Sequence, residues 1–169
     1  PTPKVTPPPA PMPMPQPPAQ PKKPGELLYD AGVLFMDKEF NQENCMPLVK
    51  MIMEYNMMPE DTRPEVIHLY INSPGGAVNS AFHLIDVIKQ SSIPVYTYGM
   101  GMIASCGVLL MMAGEKGHRY ITQNTSVMSH QYSWGSRGKE HKLMSIVKEF
   151  ELSTERMMDH YKKCTGKNE

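Results

Sequence analysis

The chain has 169 residues, 40% of them hydrophobic, and no apolar run near the length of a membrane span, so it reads as one domain with a sizeable core and no membrane segment. It carries 17 basic and 17 acidic side chains; three lysines and no acid fall in the first 25 residues, leaving 14 basic against 17 acidic, and a net of −3 over the remainder argues against nucleic acid as a partner. Cys45, Cys106 and Cys164 are odd in number and widely spaced, which excludes a C-x-x-C metal site and a complete disulfide framework; with no apolar leader, a reducing, cytoplasmic setting is expected.

Twelve of the 17 prolines lie in "PTPKVTPPPAPMPMPQPPAQPKKPG". With almost nothing bulky to bury and few backbone donors to pair, residues 1–25 read as an extended, polyproline-like tail, either a docking arm or a solvated end. The folded domain is expected over 26–169. "LLYDAGVLFM" is a short apolar strand candidate, and Asn44 to Met58 a helix-like run. Val66 to Ile71 reads as a strand stopped by Asn72-Ser73-Pro74-Gly75-Gly76, after which Ala77, Ala81, Leu84, Ile85 and Ile88 recur at helical spacing. "PVYTYG" returns as a strand, Ser105 to Ala113 as a buried helix, and "HRYIT" and "SVMSHQ" as short strands. This alternation is that of βαβ units in an α/β fold. From Gly138 to Cys164, a stripe of Leu143, Val147, Phe150, Thr154, Met157 and Tyr161 marks one long amphipathic helix. It lies either wholly on its own core or partly against another subunit.

Three places hold groups suited to chemistry. A strand that ends in Pro-Gly-Gly and feeds a helix leaves N–H groups unpaired with no Cβ to block approach, so the Gly75-Gly76 turn can hold an oxyanion; it can equally be only a turn. It matches neither nucleotide-binding glycine pattern. Ser105 sits between a strand and a helix, with small Ala104 and Gly107 beside it; it is a nucleophile or a helix cap, and the flanking Ile103 excludes the G-x-S-x-G elbow. His130, at the end of a strand candidate, is placed where an imidazole could serve a hydroxyl nucleophile, although a core histidine is the commoner role. None of the six histidines makes a metal-ligand pattern, so no metal or cofactor is called for.

Taken together and in order, "LYINSPGG", "GMIASCGVLLMMAGEKGHRY" and "NTSVMSHQ" resemble the signature segments of the Clp protease proteolytic subunit (ClpP), from about Val33 to Lys167. The resemblance implies the crotonase-like ClpP fold of repeated βαβ units, with Gly138 to Cys164 as a protruding handle helix. It implies Ser105 as nucleophile, His130 as general base, and the N–H groups of Gly76 and Cys106 as the oxyanion hole. A polypeptide substrate would add as a strand beside Gly75, Gly76, Ala77 and Val78 on one side and Gln131, Tyr132 and Ser133 on the other. The assembly implied is a homo-oligomer of stacked seven-membered rings, served by an unfoldase ATPase of the AAA+ class.

The chain departs from that pattern in three places. Tyr132 stands where the family usually has proline, and the family's axial loop is not recognisable in the Pro-rich tail. The family's catalytic aspartate belongs to a C-terminal segment that would follow Glu169, and Asp30, Asp37, Asp61, Asp86 and Asp159 do not occupy its context. Two other readings therefore stand beside a serine endopeptidase: a non-catalytic ring subunit, and an acyl-CoA enzyme of the related crotonase fold.

Overall fold

The computed structural model describes residues 23–130 and 140–167, so residues 1–22 of the Pro-rich stretch lie outside the described residues. In chain order the elements are α1 (Pro24–Asp30), β1 (Val33–Met36), α2 (Gln42–Met57), β2 (Ile67–Ser73), α3 (Val78–Gln90), β3 (Val95–Ala104), α4 (Cys106–Ala113), β4 (Arg119–Ile121), β5 (Ser126–Met128) and α5 (Glu140–Thr165).

The sheet is parallel, as βαβ alternation requires. β1 pairs with β2 and β2 with β3, in register from Val33 opposite His68 and from Ile67 opposite Val95. The other edge of β3 is shared by two short strands in succession, β4 along Thr97 to Gly99 and β5 along Met102 to Ala104. One sheet face buries Leu34, Met36, Ile67, Leu69, Ile71 and Val95 in a core with α2, α3 and α4. The alternate residues stand on the other face, where the in-register strands bring Phe35, Tyr70, Tyr98 and Tyr120 into a stacked row with ring centroids 5.5, 4.7 and 5.2 Å apart.

Three expectations need correction. The stretch "LLYDAGVLFM" is not one strand: Leu27 to Asp30 belong to α1, and only Val33–Met36 extends. The helix starts at Pro24, inside the segment read as tail, because proline suits a first helical turn and the Glu26 carboxylate accepts the Lys23 N–H at 2.9 Å. The strand read as ending at Gly99 continues to Ala104. Gly101 adopts φ +71° and the side-chain oxygen of Asn72 accepts the Met102 N–H at 3.1 Å, so β3 passes through the glycines with a local irregularity in its pairing instead of turning.

The long helix is present, and Met157 and Tyr161 of the expected stripe pack against the core. Among its residues with described side chains, Ser153 and His160 are the most buried, at 3% and 2% exposure. His160 lies edge-on to Phe82 of α3, its Nε2–H donates to the Leu109 carbonyl of α4 at 2.8 Å, and its Nδ1 accepts from Lys89 Nζ at 3.0 Å. Farther toward the N-terminus, Met144 is 68% and Val147 39% exposed. The side chain of Leu143 lies outside the described residues.

Candidate active site

Ser105 joins the end of β3 to the start of α4, at the position where a serine would ordinarily cap the helix. Its side chain makes no cap hydrogen bond. Instead the backbone takes φ 52° and ψ −116°, and among the described residues every other positive φ belongs to a glycine. Such a conformation costs on the order of 1–3 kcal/mol and persists only where neighbouring structure imposes it. That imposition is visible: the Ser105 N–H donates to the Met128 carbonyl at 2.9 Å, and the Ser105 carbonyl accepts the Val108 N–H at 3.0 Å. With both backbone groups engaged and the side chain making no cap bond, Ser105 borders a cavity.

That cavity, of about 360 Å³, is bounded by Ser105, Cys106 and Leu109 of the β3–α4 unit, Val78 of α3, Ser129 and His130 beyond β5, and Phe150, Thr154, Met157, Met158 and Tyr161 of α5. Ser105 and His130, far apart in sequence, therefore face one space. None of the five aspartates borders it.

The Gly75-Gly76 turn packs directly against the serine. A Cβ on Gly75 would lie 2.6 Å from the Ser105 Cβ and 3.2 Å from its hydroxyl oxygen, and Gly75 and Gly76 hold φ values of +101° and +141°. Gly76 is bridged to Phe40: the Phe40 N–H donates to the Gly75 carbonyl at 2.8 Å and the Ala77 N–H to the Phe40 carbonyl at 2.7 Å. The Gly76 carbonyl accepts the Cys106 thiol at 3.2 Å, which ties the turn to the first residue of α4. Burial pushes the Cys106 thiol up from its ordinary pKa, against hydrogen bonds from Ser105 and Gly76 that lower it. The N–H groups of Gly76 and Cys106 have no backbone acceptor among the described residues. Both are donors of the kind that stabilise a developing oxyanion.

Of the residues expected to border a substrate strand, Ala77 has its N–H committed to Phe40 and its carbonyl to the Ala81 N–H at 3.1 Å. Val78 is the first residue of α3 and lines the cavity. Gln131, Tyr132 and Ser133 lie outside the described residues. Sequence reasoning did not find the α5 wall of the cavity. Phe150, Thr154, Met157 and Tyr161 were legible only as an apolar stripe, which says that a helix face is covered and not what covers it.

Among the described residues, no helix is long and apolar enough to cross a membrane. The family model for Clp protease matches residues 20–169. An ATP-dependent Clp protease proteolytic subunit 1 of Rhodopirellula baltica is 36% identical over 115 residues, 68% of this chain and 49% of that protein. A protein of the same description from Corynebacterium jeikeium is 30% identical over 141 residues, 83% of this chain and 73% of that protein. The matched stretch thus spans about half the length of the first relative and nearly three quarters of the second. A parallel βαβ sheet, a serine held by strain at a helix start and a match across almost the whole chain agree: the chain belongs to the Clp protease family.

Proposed function

We propose that this chain is a serine endopeptidase subunit that cuts unfolded polypeptides into short peptides inside a ring-shaped chamber. The observation that carries the reading is Ser105 itself, the one non-glycine residue among those described with a left-handed φ, which borders the same cavity as His130.

In this reading the neutral imidazole of His130 takes the Ser105 proton as the oxygen attacks the scissile carbonyl. The oxyanion that forms is met by the Gly76 and Cys106 N–H groups, at the glycine turn and the helix start. The imidazolium then protonates the leaving amine, and water admitted to the acyl-serine repeats the sequence to release the acid. The substrate runs as an added strand between Gly75 to Val78 and Gln131 to Ser133. On the first side Ala77 is already paired internally and the Gly76 N–H is kept for the oxyanion, which leaves Val78 as the donor for such a strand. Backbone pairing reads little sequence, and a site so permissive is kept from folded proteins by enclosure. Stacked heptameric rings supply that enclosure and an AAA+ ATPase the unfolding, in line with the relatives named as ATP-dependent subunits. The three cysteines are unpaired, which suits a reducing, cytoplasmic setting.

A fluorophosphonate probe tests the assignment. It should modify Ser105 alone, and Ser105→Ala should abolish both labelling and hydrolysis of a fluorogenic peptide. Labelling that persists in the variant, or turnover of an enoyl thioester in place of the peptide, would overturn the reading.

A further inference from the structure

We propose that Tyr161 is a positioning residue for the peptidase reaction, acting on His130 through Ser129; this rests on the reading of Ser105 and His130 given above. The pairing of β5 with β3 ends at Ala104 opposite Met128, and the last main-chain bond across that edge runs from the Ser105 N–H to the Met128 carbonyl. Beyond Met128 the chain leaves the sheet, and both Ser129 and His130 are exposed. At that point the Ser129 hydroxyl meets the Tyr161 hydroxyl at 3.1 Å.

Tyr161 is itself fixed relative to the nucleophile. It borders the same cavity, and the residue before it, His160, is buried with its Nε2–H on the Leu109 carbonyl. Leu109 belongs to α4, whose first residue follows Ser105. The contacts therefore close a loop around the cavity: from Ser105 along α4 to Leu109, across to His160 and Tyr161, and back through Ser129 to His130. A general base must stand within hydrogen-bond reach of the proton it takes, and small displacements there are costly in rate. The Ser129–Tyr161 bond gives the departing segment a fixed reference on the helix that walls the cavity.

Tyr161→Phe keeps the ring and removes only the hydroxyl, and Ser129→Ala removes the other partner at an exposed position. Each should slow fluorophosphonate labelling of Ser105 and lower kcat for a fluorogenic peptide by about three- to tenfold, the range for losing one neutral hydrogen bond, with KM within about twofold. The double variant should be no slower than either single one, since both remove the same interaction, and Ser129→Thr should restore the rate. A role confined to stability would lower the melting temperature and leave the labelling rate alone. Unchanged labelling in both variants, or effects that multiply in the double variant, would overturn the positioning role while leaving Ser105 as nucleophile intact. Absence of Ser105 labelling in the unaltered chain would overturn both.

Discussion

The main-chain N–H of Ser105 donates to the carbonyl of Met128 across 2.9 Å, at the last rung where β5 lies against β3. This bond explains how a serine and a histidine distant in sequence come to one cavity. Parallel strands all end on the same side of a sheet, so residues that follow their carboxyl ends are neighbours by construction. The same bond holds Ser105 in its positive-φ conformation and sets where the chain toward His130 departs.

Gly75→Ala should damage the site more than it damages the fold. A methyl there meets the Ser105 Cβ at 2.6 Å and the Ala104 carbonyl at 2.9 Å, in addition to the strain of φ +101°. Gly117→Ala is the control, because φ is +90° but no atom lies within 4 Å. Each should lose about 1–2 kcal/mol from left-handed backbone alone, measured by urea unfolding. Ser105 labelling should collapse only in Gly75→Ala, and equal labelling in the two variants would refute the contact.

Thiol reactivity should divide the cysteines. Cys45 and Cys106 are buried and burial raises the pKa of both thiols, whereas Cys164 is partly exposed. Since the thiolate is the reactive form, Ellman's reagent on the native protein should consume one thiol fast and the other two only on unfolding. Fast modification of Cys106 would show that the region beside Ser105 opens in solution.

His160 should make the domain sensitive to acid. Burial holds its imidazole below the ordinary histidine pKa, with Lys89 and Arg119 lowering it further and the Leu109 carbonyl and Asp86 opposing them. The unfolded chain titrates near about 6.5, so the unfolded state binds the proton more readily. The stabilisation is complete above that pH and is lost as pH falls through the lowered folded-state value. The melting temperature should drop between pH 8 and pH 5, and drop less in His160→Gln. An identical acid dependence in the variant would assign the effect to other groups.

The assembly is best probed at Met144. Phe150 lies in the apolar stripe but borders the Ser105 cavity, so altering it would confound association with chemistry. Met144 is 68% exposed and Val147 39% exposed toward the N-terminal end of α5. If the proposed stacked rings form through this face, Met144→Glu should lower the native mass, with subunit stability changed by less than about 0.5 kcal/mol, as for surface sites generally. An unaltered mass would remove this part of α5 from the interface.

Much of the fold is written locally. β2 and α3 follow from apolar periodicity, α4 from an unbroken apolar run, and the Pro-Gly-Gly turn from residues that readily adopt such a backbone, because these signals need no partner to be read. Ser105, His130 and the Gly75-Gly76 turn could be singled out from a strand-to-helix junction, a strand end and a Pro-Gly-Gly turn, whereas Cys106 and the roles of all four came with the family resemblance. What tertiary structure decided is which of these groups share a space, and in what conformation. The φ of Ser105 depends on Met128, the openness of Gly75 matters because Ser105 is behind it, and the burial of His160 depends on α3 and α4 closing over a position that sequence pattern places on no special face. The extension of β3 through Gly99 and Gly101 likewise rests on Asn72 from the adjoining strand. Each of these is a non-local contact, and a periodicity read along one element carries no information about the element that will meet it.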